Sequence, residues 1–121
     1  MPPQKMRAVT PYIVTEGALE VVEFLKAGFG AQEMEMFKRP DGALMHGAVT
    51  IGDSVIELGD NPGVPPAAFY VFVEDADAQY ERALRAGATS LSVPANHSYG
   101  HRSGGVKDAW GNTWYIASDL R

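Results

Sequence analysis

Two stretches of this chain resemble each other: PYIVTEGALEVVEFLKAGFGA, residues 11–31, and AFYVFVEDADAQYERALRAGA, residues 68–88. Each begins with a short β-rich run, passes through an acidic turn into a helical stretch, and closes on Leu, a basic residue, Ala and Gly. A repeated order of strand, helix and glycine stop, about half a chain apart, is typical of internal duplication. The fold is therefore expected to consist of two related modules.

The first copy predicts a strand over residues 12–14 and a helix that begins at Thr15 or Gly17. Gly28 is expected to end this helix in the left-handed conformation. The apolar positions of the helix recur at helical spacing, at Leu19, Val22 and Leu25.

The second copy predicts a strand over residues 69–73, followed by a helix with Asp75 as its N-cap. Gly87 is expected to end the helix. Its buried stripe is expected to comprise Ala76, Tyr80, Ala83 and Leu84.

β-Rich sequence with turn signals follows each helix. The strands expected there are 33–38, 44–51 and 54–58 in the first half, and 90–93, 100–107 and 112–117 in the second. Each half therefore reads β-α-β-β-β. Module one spans about residues 8–59, a linker rich in Pro and Gly spans about 60–67, and module two spans about 68–118.

The fold class expected is a single α+β domain in which two βαβββ modules form a curved eight-stranded mixed sheet with helices on the outer face. One helix covers only one face of a four-stranded sheet, so the other face must meet a partner surface or remain wet. We expect the uncovered faces to form a cleft.

Strand alternation predicts which side chains face this cleft. If Gly52 and Asp53 form a two-residue hairpin loop, residues opposite each other share a face. The cleft face then carries His46, Ala48, Thr50, Val55 and Glu57, and the helix face carries Met45, Val49, Ile51, Ile56 and Leu58. Diagonal neighbours lie about 7–8 Å apart, so the side chains of His46 and Glu57 are within reach of each other.

The same alternation in the last strand, by analogy, places Trp114 and Ile116 beneath the helix and Thr113 and Tyr115 toward the cleft. Trp110 is expected to plug the sheet end or to make a dimer contact. Other bulky side chains, expected to pack rather than to bind a cofactor, are Met34, Met36, Met45 and Phe37.

Composition narrows the function classes. With 15 acidic and 10 basic residues the net charge is −5, and no basic patch suits nucleic acid. The chain has no cysteine, so a metal would need His, Asp or Glu ligands. No long apolar run or secretory signal is present, so we expect a cytoplasmic protein without membrane contact.

The segment ANHSYGHRSGG, residues 95–105, carries further candidates. His97, Tyr99 and His101 belong either to a structured loop or to a lid over the cleft. Arg102 either anchors an anionic ligand or forms a salt bridge with Asp108 or Glu57.

Three segments carry a family resemblance: TPYIVTEGALEVVEFLKAGFGA at 10–31, MHGAVTIGDSVIELGDNPG at 45–63 and YGHRSGGVKDAWGNTWYIAS at 99–118. With the βαβββ duplication, they resemble the vicinal oxygen chelate superfamily, and within it the PhnB-like branch of the glyoxalase/bleomycin resistance proteins. The resemblance implies the glyoxalase/bleomycin resistance fold and a homodimer.

The resemblance also implies where a metal would bind, because metal-dependent members take ligands from the first, fourth, fifth and eighth strands. Glu57 matches the fourth-strand glutamate, whereas the other three positions fall near Thr10, Ala68 and Tyr115. A single carboxylate does not hold Zn, Ni or Fe, and His46 would add only a second ligand. No metal cofactor is therefore predicted.

The expected function is binding of a small organic molecule, with any catalysis metal-free. The candidate residues are His46, Glu57, Tyr115, Tyr99 and Arg102, with His46 and Glu57 orienting or deprotonating the ligand and the tyrosines forming apolar walls. Two alternatives stay open: a metal-dependent lyase, isomerase or dioxygenase, and a protein that sequesters a cationic antibiotic.

Overall fold

The computed structural model describes residues 7–120, and its element order confirms the two βαβββ modules. Module one contains β1 (Tyr12–Thr15), α1 (Ala18–Phe29), β2 (Gln32–Lys38), β3 (Leu44–Ile51) and β4 (Ser54–Asp60). Module two contains β5 (Ala68–Phe72), α2 (Ala76–Arg85), β6 (Thr89–Asn96), β7 (His101–Lys107) and β8 (Thr113–Asp119).

The eight strands hydrogen bond into two four-stranded mixed sheets, one in each module, with orders β1-β4-β3-β2 and β5-β8-β7-β6. In each sheet the first strand of the module pairs in parallel with the last, and the other pairs are antiparallel. The two modules thus repeat the same strand topology, as expected of the glyoxalase/bleomycin resistance fold.

The described chain divides into two compact units that follow the modules closely. The first contains residues 7–26 and 30–65, and the second contains residues 27–29 and 66–120. The last turn of α1 is thus grouped with the second unit. A cleft shared by the two modules stays a prediction.

The register of the β3–β4 hairpin confirms the two-residue loop. Ile51 pairs with Ser54, and Ala48 pairs with Glu57. The predicted burial of Met45, however, is wrong: this side chain is 54% exposed, whereas Leu44 is fully buried. The reason is a bulge between Leu44 and His46, where the pairing to β2 shifts by one residue and the alternation of side chains is reset.

Phe37 of β2 also departs from the expected packing role, since it is 52% exposed. It pairs with His46 in the register of β2 and β3, and therefore lies on the same face as His46. An irregularity between Glu33 and Glu35 shifts the alternation of β2, so a strictly period-two pattern could not place Phe37.

The end of α1 is corrected by the structure. Gly28 was expected to stop the helix, but the helix continues to Phe29 and Gly30 is the left-handed residue, with φ of 70°. The backbone N–H of Gly30 returns to the last helical carbonyls, as in other glycine stops. Gly28 and Gly30 are separated by a single residue, so the sequence alone did not show which of the two ends the helix.

The beginning of α1 is held from a distant strand. Its N-cap residue, Gly17, has no side chain to cap the helix. Instead Asp60 Oδ2, at the end of β4, accepts hydrogen bonds from the backbone N–H groups of Gly17 and Ala18, at 3.0 and 3.2 Å. A carboxylate at this position satisfies free N–H groups and complements the helix dipole.

The α2 helix begins as predicted. Asp75 is the N-cap, and its side chain accepts from the backbone N–H of Ala78. The helix ends at Arg85, and Gly87 follows with a positive φ. Of the predicted stripe, Ala76, Tyr80 and Ala83 are buried, whereas Leu84 is only half-buried.

The core of the second unit is centred on Trp114. Its side chain is fully buried and stacks on Phe69, with ring centroids 4.4 Å apart. The indole N–H donates to the buried carboxylate of Asp108 at 2.9 Å. Trp114 and Ile116 are both buried and Tyr115 is exposed, as the predicted alternation of β8 requires.

Within residues 7–120, neither helix has the length and apolar character needed to cross a bilayer.

Candidate functional site

The open face of the first sheet brings together His46 and Glu57. Strands β3 and β4 place these residues diagonally, and His46 Nε2 lies 3.6 Å from Glu57 Oε1. Both side chains are accessible, with 44% and 25% of their surface exposed. We call these two residues the polar pair. An accessible imidazole beside a carboxylate can accept a proton from a bound molecule, with the carboxylate stabilising the resulting cation.

Tyr12 is a third member of this face that the sequence did not predict. It pairs with Glu57 across the parallel β1–β4 ladder, and its ring lies 5.6 Å from that of His46. The phenol passes over Gly59, where an added Cβ would lie only 2.7 Å from the Tyr12 hydroxyl. The missing side chain at Gly59 therefore makes room for Tyr12. The position of Tyr12 depends on the register of the parallel β1–β4 pair, and no local sequence signal specifies that register.

The open face of the second sheet is aromatic. The side chains of Tyr70, Phe72, His101 and Tyr115 share this face in the β5–β8–β7 register. Tyr99 joins them from the turn before β7. We call these five residues the aromatic platform. Tyr99 and Tyr115 were predicted as ligand-binding residues, whereas the contributions of Tyr70 and Phe72 were missed because β5 is short and its register was unknown.

His101 lies at the centre of the aromatic platform. Its ring is edge-on to Phe72, at 4.6 Å, and edge-on to Tyr99, at 5.3 Å. His101 Nδ1 is 2.7 Å from the Tyr70 hydroxyl. Partial desolvation of its hydroxyl raises the pKa of the Tyr70 phenol, and the neighbouring Tyr99 hydroxyl raises it further. Tyr70 therefore keeps its proton at neutral pH.

His97 lies at the border of this arrangement. Its ring stacks on Tyr99, with centroids 5.1 Å apart and planes only 9° from parallel. His97 also lies in a turn closed by backbone hydrogen bonds to His101 and Gly100. The segment is thus a structured turn, which is one of the two alternatives drawn from the sequence.

Arg102 has a different partner from those expected. Its guanidinium forms two hydrogen bonds with Asp77 of α2, at 2.7 and 3.0 Å, and not with Asp108 or Glu57. It pairs with Ser118, whose hydroxyl accepts from the N-terminus of α2. Arg102 therefore lies on the helix side of the second sheet, opposite the aromatic platform.

The donors present do not fit the superfamily's metal site. Glu57 and His46 offer one carboxylate and one imidazole, whereas Zn, Ni and Fe sites in proteins take three or four such donors. Among residues 7–120, His, Asp and Glu form no group of three or more arranged to hold a metal ion.

Thr10, at the first-strand position of the superfamily's ligand set, borders a shallow groove of about 250 Å³. Arg7, Asp53 and Val55 contribute to the same groove. A threonine hydroxyl is a weak metal ligand, and the groove carries one charge of each sign. It therefore does not extend the donor set around Glu57.

Sequence comparison identifies the family. Residues 12–116 match the profile of the Glyoxalase/Bleomycin resistance protein/Dioxygenase superfamily. The chain belongs to this superfamily. It is also 30% identical over 128 residues to the uncharacterized protein Rv0887c of Mycobacterium tuberculosis. The alignment covers 94% of this chain and 75% of that protein.

Solved structures share the fold. TioX from Micromonospora sp. ML1 superposes with a TM-score of 0.76 at 20% identity, covering 93% of this chain and 95% of TioX. The fosfomycin resistance protein FosX from Listeria monocytogenes gives a TM-score of 0.75 at 15% identity, covering 94% and 95%. Members of this fold thus include resistance proteins, and at these identities the likeness concerns the fold alone.

Proposed function

We propose that this protein binds a small organic molecule on the open faces of its sheets, and that any catalysis it performs is metal-free. The observation that carries the proposal is the polar pair: an imidazole and a carboxylate 3.6 Å apart on the neighbouring strands β3 and β4, both accessible. Neither group is needed for the buried core, since both remain accessible.

The chemistry of the polar pair favours a ligand with an acidic or hydrogen-bonding group. His46 can accept a proton or donate a hydrogen bond, depending on its tautomer, and Glu57 orients the imidazole. The ring of Tyr12 offers an adjacent apolar surface with a hydroxyl at its tip. Together the three residues can orient a polar group of the ligand and, where that group is acidic, remove its proton.

We place the protein in the PhnB-like branch of the superfamily, on the motif YGHRSGGVKDAWGNTWYIAS at residues 99–118. We also propose that it acts as a homodimer, as the branch implies, and that it is cytoplasmic. Sedimentation of the purified protein tests the dimer: a monomer at concentrations of about 100 μM would contradict it.

The test of binding is a screen of small organic molecules by thermal shift, followed by calorimetry on the hits. We expect E57Q and H46Q to weaken binding about tenfold, which corresponds to the loss of one charge-assisted hydrogen bond. The matched control is E33Q, which removes an exposed carboxylate that pairs with Lys26 elsewhere. Hits that bind all variants equally would contradict a role for the polar pair.

The metal-free part of the proposal has its own test. Protein purified without chelators is analysed for Zn, Ni, Mn and Fe. Stoichiometric metal, lost in E57Q but retained in E33Q, would replace this proposal with a metal-dependent lyase, isomerase or dioxygenase.

A second candidate function is sequestration of a cationic antibiotic. It is favoured by the net charge of −5 and by the partly exposed carboxylate of Glu57. Titration with a basic glycopeptide checks it: saturable heat that falls with added salt supports this function, and no heat or fluorescence change contradicts it.

A further inference from the structure

The aromatic platform is unusual for a surface of a small protein. Its rings Tyr70, Phe72, Tyr99 and Tyr115 are exposed by 47, 57, 62 and 44%. Beneath them lie small residues that are themselves buried, Ser103, Gly105 and Ala117. Contiguous exposed apolar surface on one face of a sheet is characteristic of binding sites, whereas single exposed apolar residues are ordinary.

The floor of small residues gives the aromatic platform its shape. Gly105 pairs with Tyr115 across β7 and β8, and an added Cβ at Gly105 would lie 3.4 Å from the Tyr115 ring. The ring is therefore laid over the glycine. The Tyr70 and Tyr115 rings are neighbours, with centroids 6.4 Å apart. Such a surface is broad and shallow, and it matches a flat molecule better than a globular one.

The Tyr70–His101 hydrogen bond gives the platform a polarity. His101 Nδ1 lies 2.7 Å from the Tyr70 hydroxyl, and which group donates depends on the imidazole tautomer; when the hydroxyl donates, Nδ1 is the unprotonated ring nitrogen and the imidazole proton is carried on Nε2. Within residues 7–120, no protein group is hydrogen bonded to His101 Nε2. In that tautomer the centre of the platform presents one N–H donor with no acceptor of its own.

We propose that the aromatic platform binds a planar aromatic molecule that carries a carbonyl or phenolate oxygen, and that this oxygen accepts a hydrogen bond from His101 Nε2. The rings of Tyr115 and Phe72 supply the stacking surface. This inference rests on the proposed small-molecule function and names the class of ligand. Tyr70 is a positioning residue, because it fixes the imidazole tautomer through Nδ1 and leaves the stacking to its neighbours.

The probe is 7-hydroxycoumarin, a planar fluorescent molecule with a carbonyl and a phenol oxygen, titrated against the full chain. H101F keeps an aromatic ring but removes the N–H donor, and we expect about tenfold weaker binding. Y115A removes a stacking surface and should weaken binding by a similar factor. The matched control is L91A, which truncates an exposed apolar side chain on β6 of the same sheet and should leave binding unchanged.

Naphthalene, which has the same two-ring shape without oxygen, separates the hydrogen bond from stacking. We expect wild type and H101F to bind naphthalene equally weakly. In Y70F, ¹⁵N spectra of His101 should show loss of the Nε2–H tautomer preference, with a smaller loss of 7-hydroxycoumarin affinity than in H101F. Equal binding of 7-hydroxycoumarin by wild type and H101F would overturn the proposal.

Other outcomes separate this inference from the proposed function. If 7-hydroxycoumarin does not bind, but other molecules bind in a manner that depends on Glu57, the inference is wrong and the proposed function stands. If no small molecule binds, both are wrong. If Y115A dissociates a dimer and the probe does not bind, the platform's occupant is a second copy of this chain, and the ligand class proposed here is overturned.

Discussion

The hairpins β3–β4 and β7–β8 occupy equivalent places in the two modules, yet they are closed by different means. In the first, Gly52 and Asp53 form a tight exposed turn, with Gly52 at φ of 57°. In the second, the buried Asp108 carboxylate accepts from the backbone N–H groups of Trp110 and Asn112. One hairpin is thus set by local turn chemistry and the other by a buried acceptor.

The open faces of the two sheets also differ, in the side chains that they expose. The first sheet presents the polar pair with a single adjacent ring, whereas the second presents four rings around one imidazole. Duplication has therefore preserved the strand order while the exposed chemistry of the two copies has diverged. The buried side chains of alternating strand positions maintain the fold, and the exposed side chains between them carry the function.

The largest effect is expected at the turn of the second hairpin. D108A removes an acceptor that also serves Asn112 Nδ2 and Trp114 Nε1, and leaves those buried donors unsatisfied. We expect a loss of about 3–4 kcal/mol in the free energy of unfolding, measured with denaturant. D108N should also destabilise, because its amide N–H₂ cannot accept from these donors.

The matched change in the first hairpin is D53A, at an exposed turn position. It should cost less than about 0.5 kcal/mol, as is typical of surface substitutions. Similar losses for D53A and D108A would contradict the distinction drawn between a locally set and an internally held hairpin.

A smaller effect is expected at the helix N-termini, where α1 is capped by Asp60 from β4 and α2 by its own Asp75. D60A should lower stability by about 1–2 kcal/mol, because two backbone N–H groups of a partly buried helix end lose their acceptor. Equilibrium unfolding with denaturant measures it. D60N, which keeps one acceptor oxygen, should recover part of the loss.

The control for this comparison is D75A, which should cost about 1 kcal/mol as an ordinary cap. Because Asp60 also ties α1 to the first sheet's last strand, amide exchange in D60A should rise in both β4 and the first turn of α1. Exchange that rises only in α1 would show that Asp60 acts as a cap and nothing more.

Most of the fold could be predicted from the sequence, because duplication and alternation are local signals. The β3 boundaries, the two-residue loop and the Asp75 cap all follow from residues close in the chain. The errors concern non-local or irregular features. A bulge exposes Met45, and the choice between Gly28 and Gly30 depends on where packing lets the helix end.

The candidate site was predictable only where a hairpin fixes its register. His46 and Glu57 belong to one hairpin, so their juxtaposition could be predicted. Tyr12 and Tyr70 reach their faces through parallel pairing with β4 and β8, and no local signal specifies that register. The salt-bridge partners expected for Arg102 were wrong because its actual partner, Asp77, lies in a helix whose position above the sheet depends on tertiary packing.

The smallest effect concerns two ion pairs, one in each module: Arg39 with Asp60 and Arg102 with Asp77. Two hydrogen bonds from the Arg102 guanidinium hold the pKa of the Asp77 carboxyl below its ordinary value. A lowered folded-state pKa stabilises the fold above the ordinary pKa of about 3.9, and this contribution is lost as the pH falls through the folded-state pKa. D77N should therefore be slightly less stable than wild type at pH 7, with the difference vanishing in strong acid and shrinking in high salt because the pair is exposed. Unfolding curves from pH 7 down to pH 2 measure the difference in the free energy of unfolding. A difference that stays constant with pH would show that Arg102 holds α2 through packing of its side chain rather than through its charge.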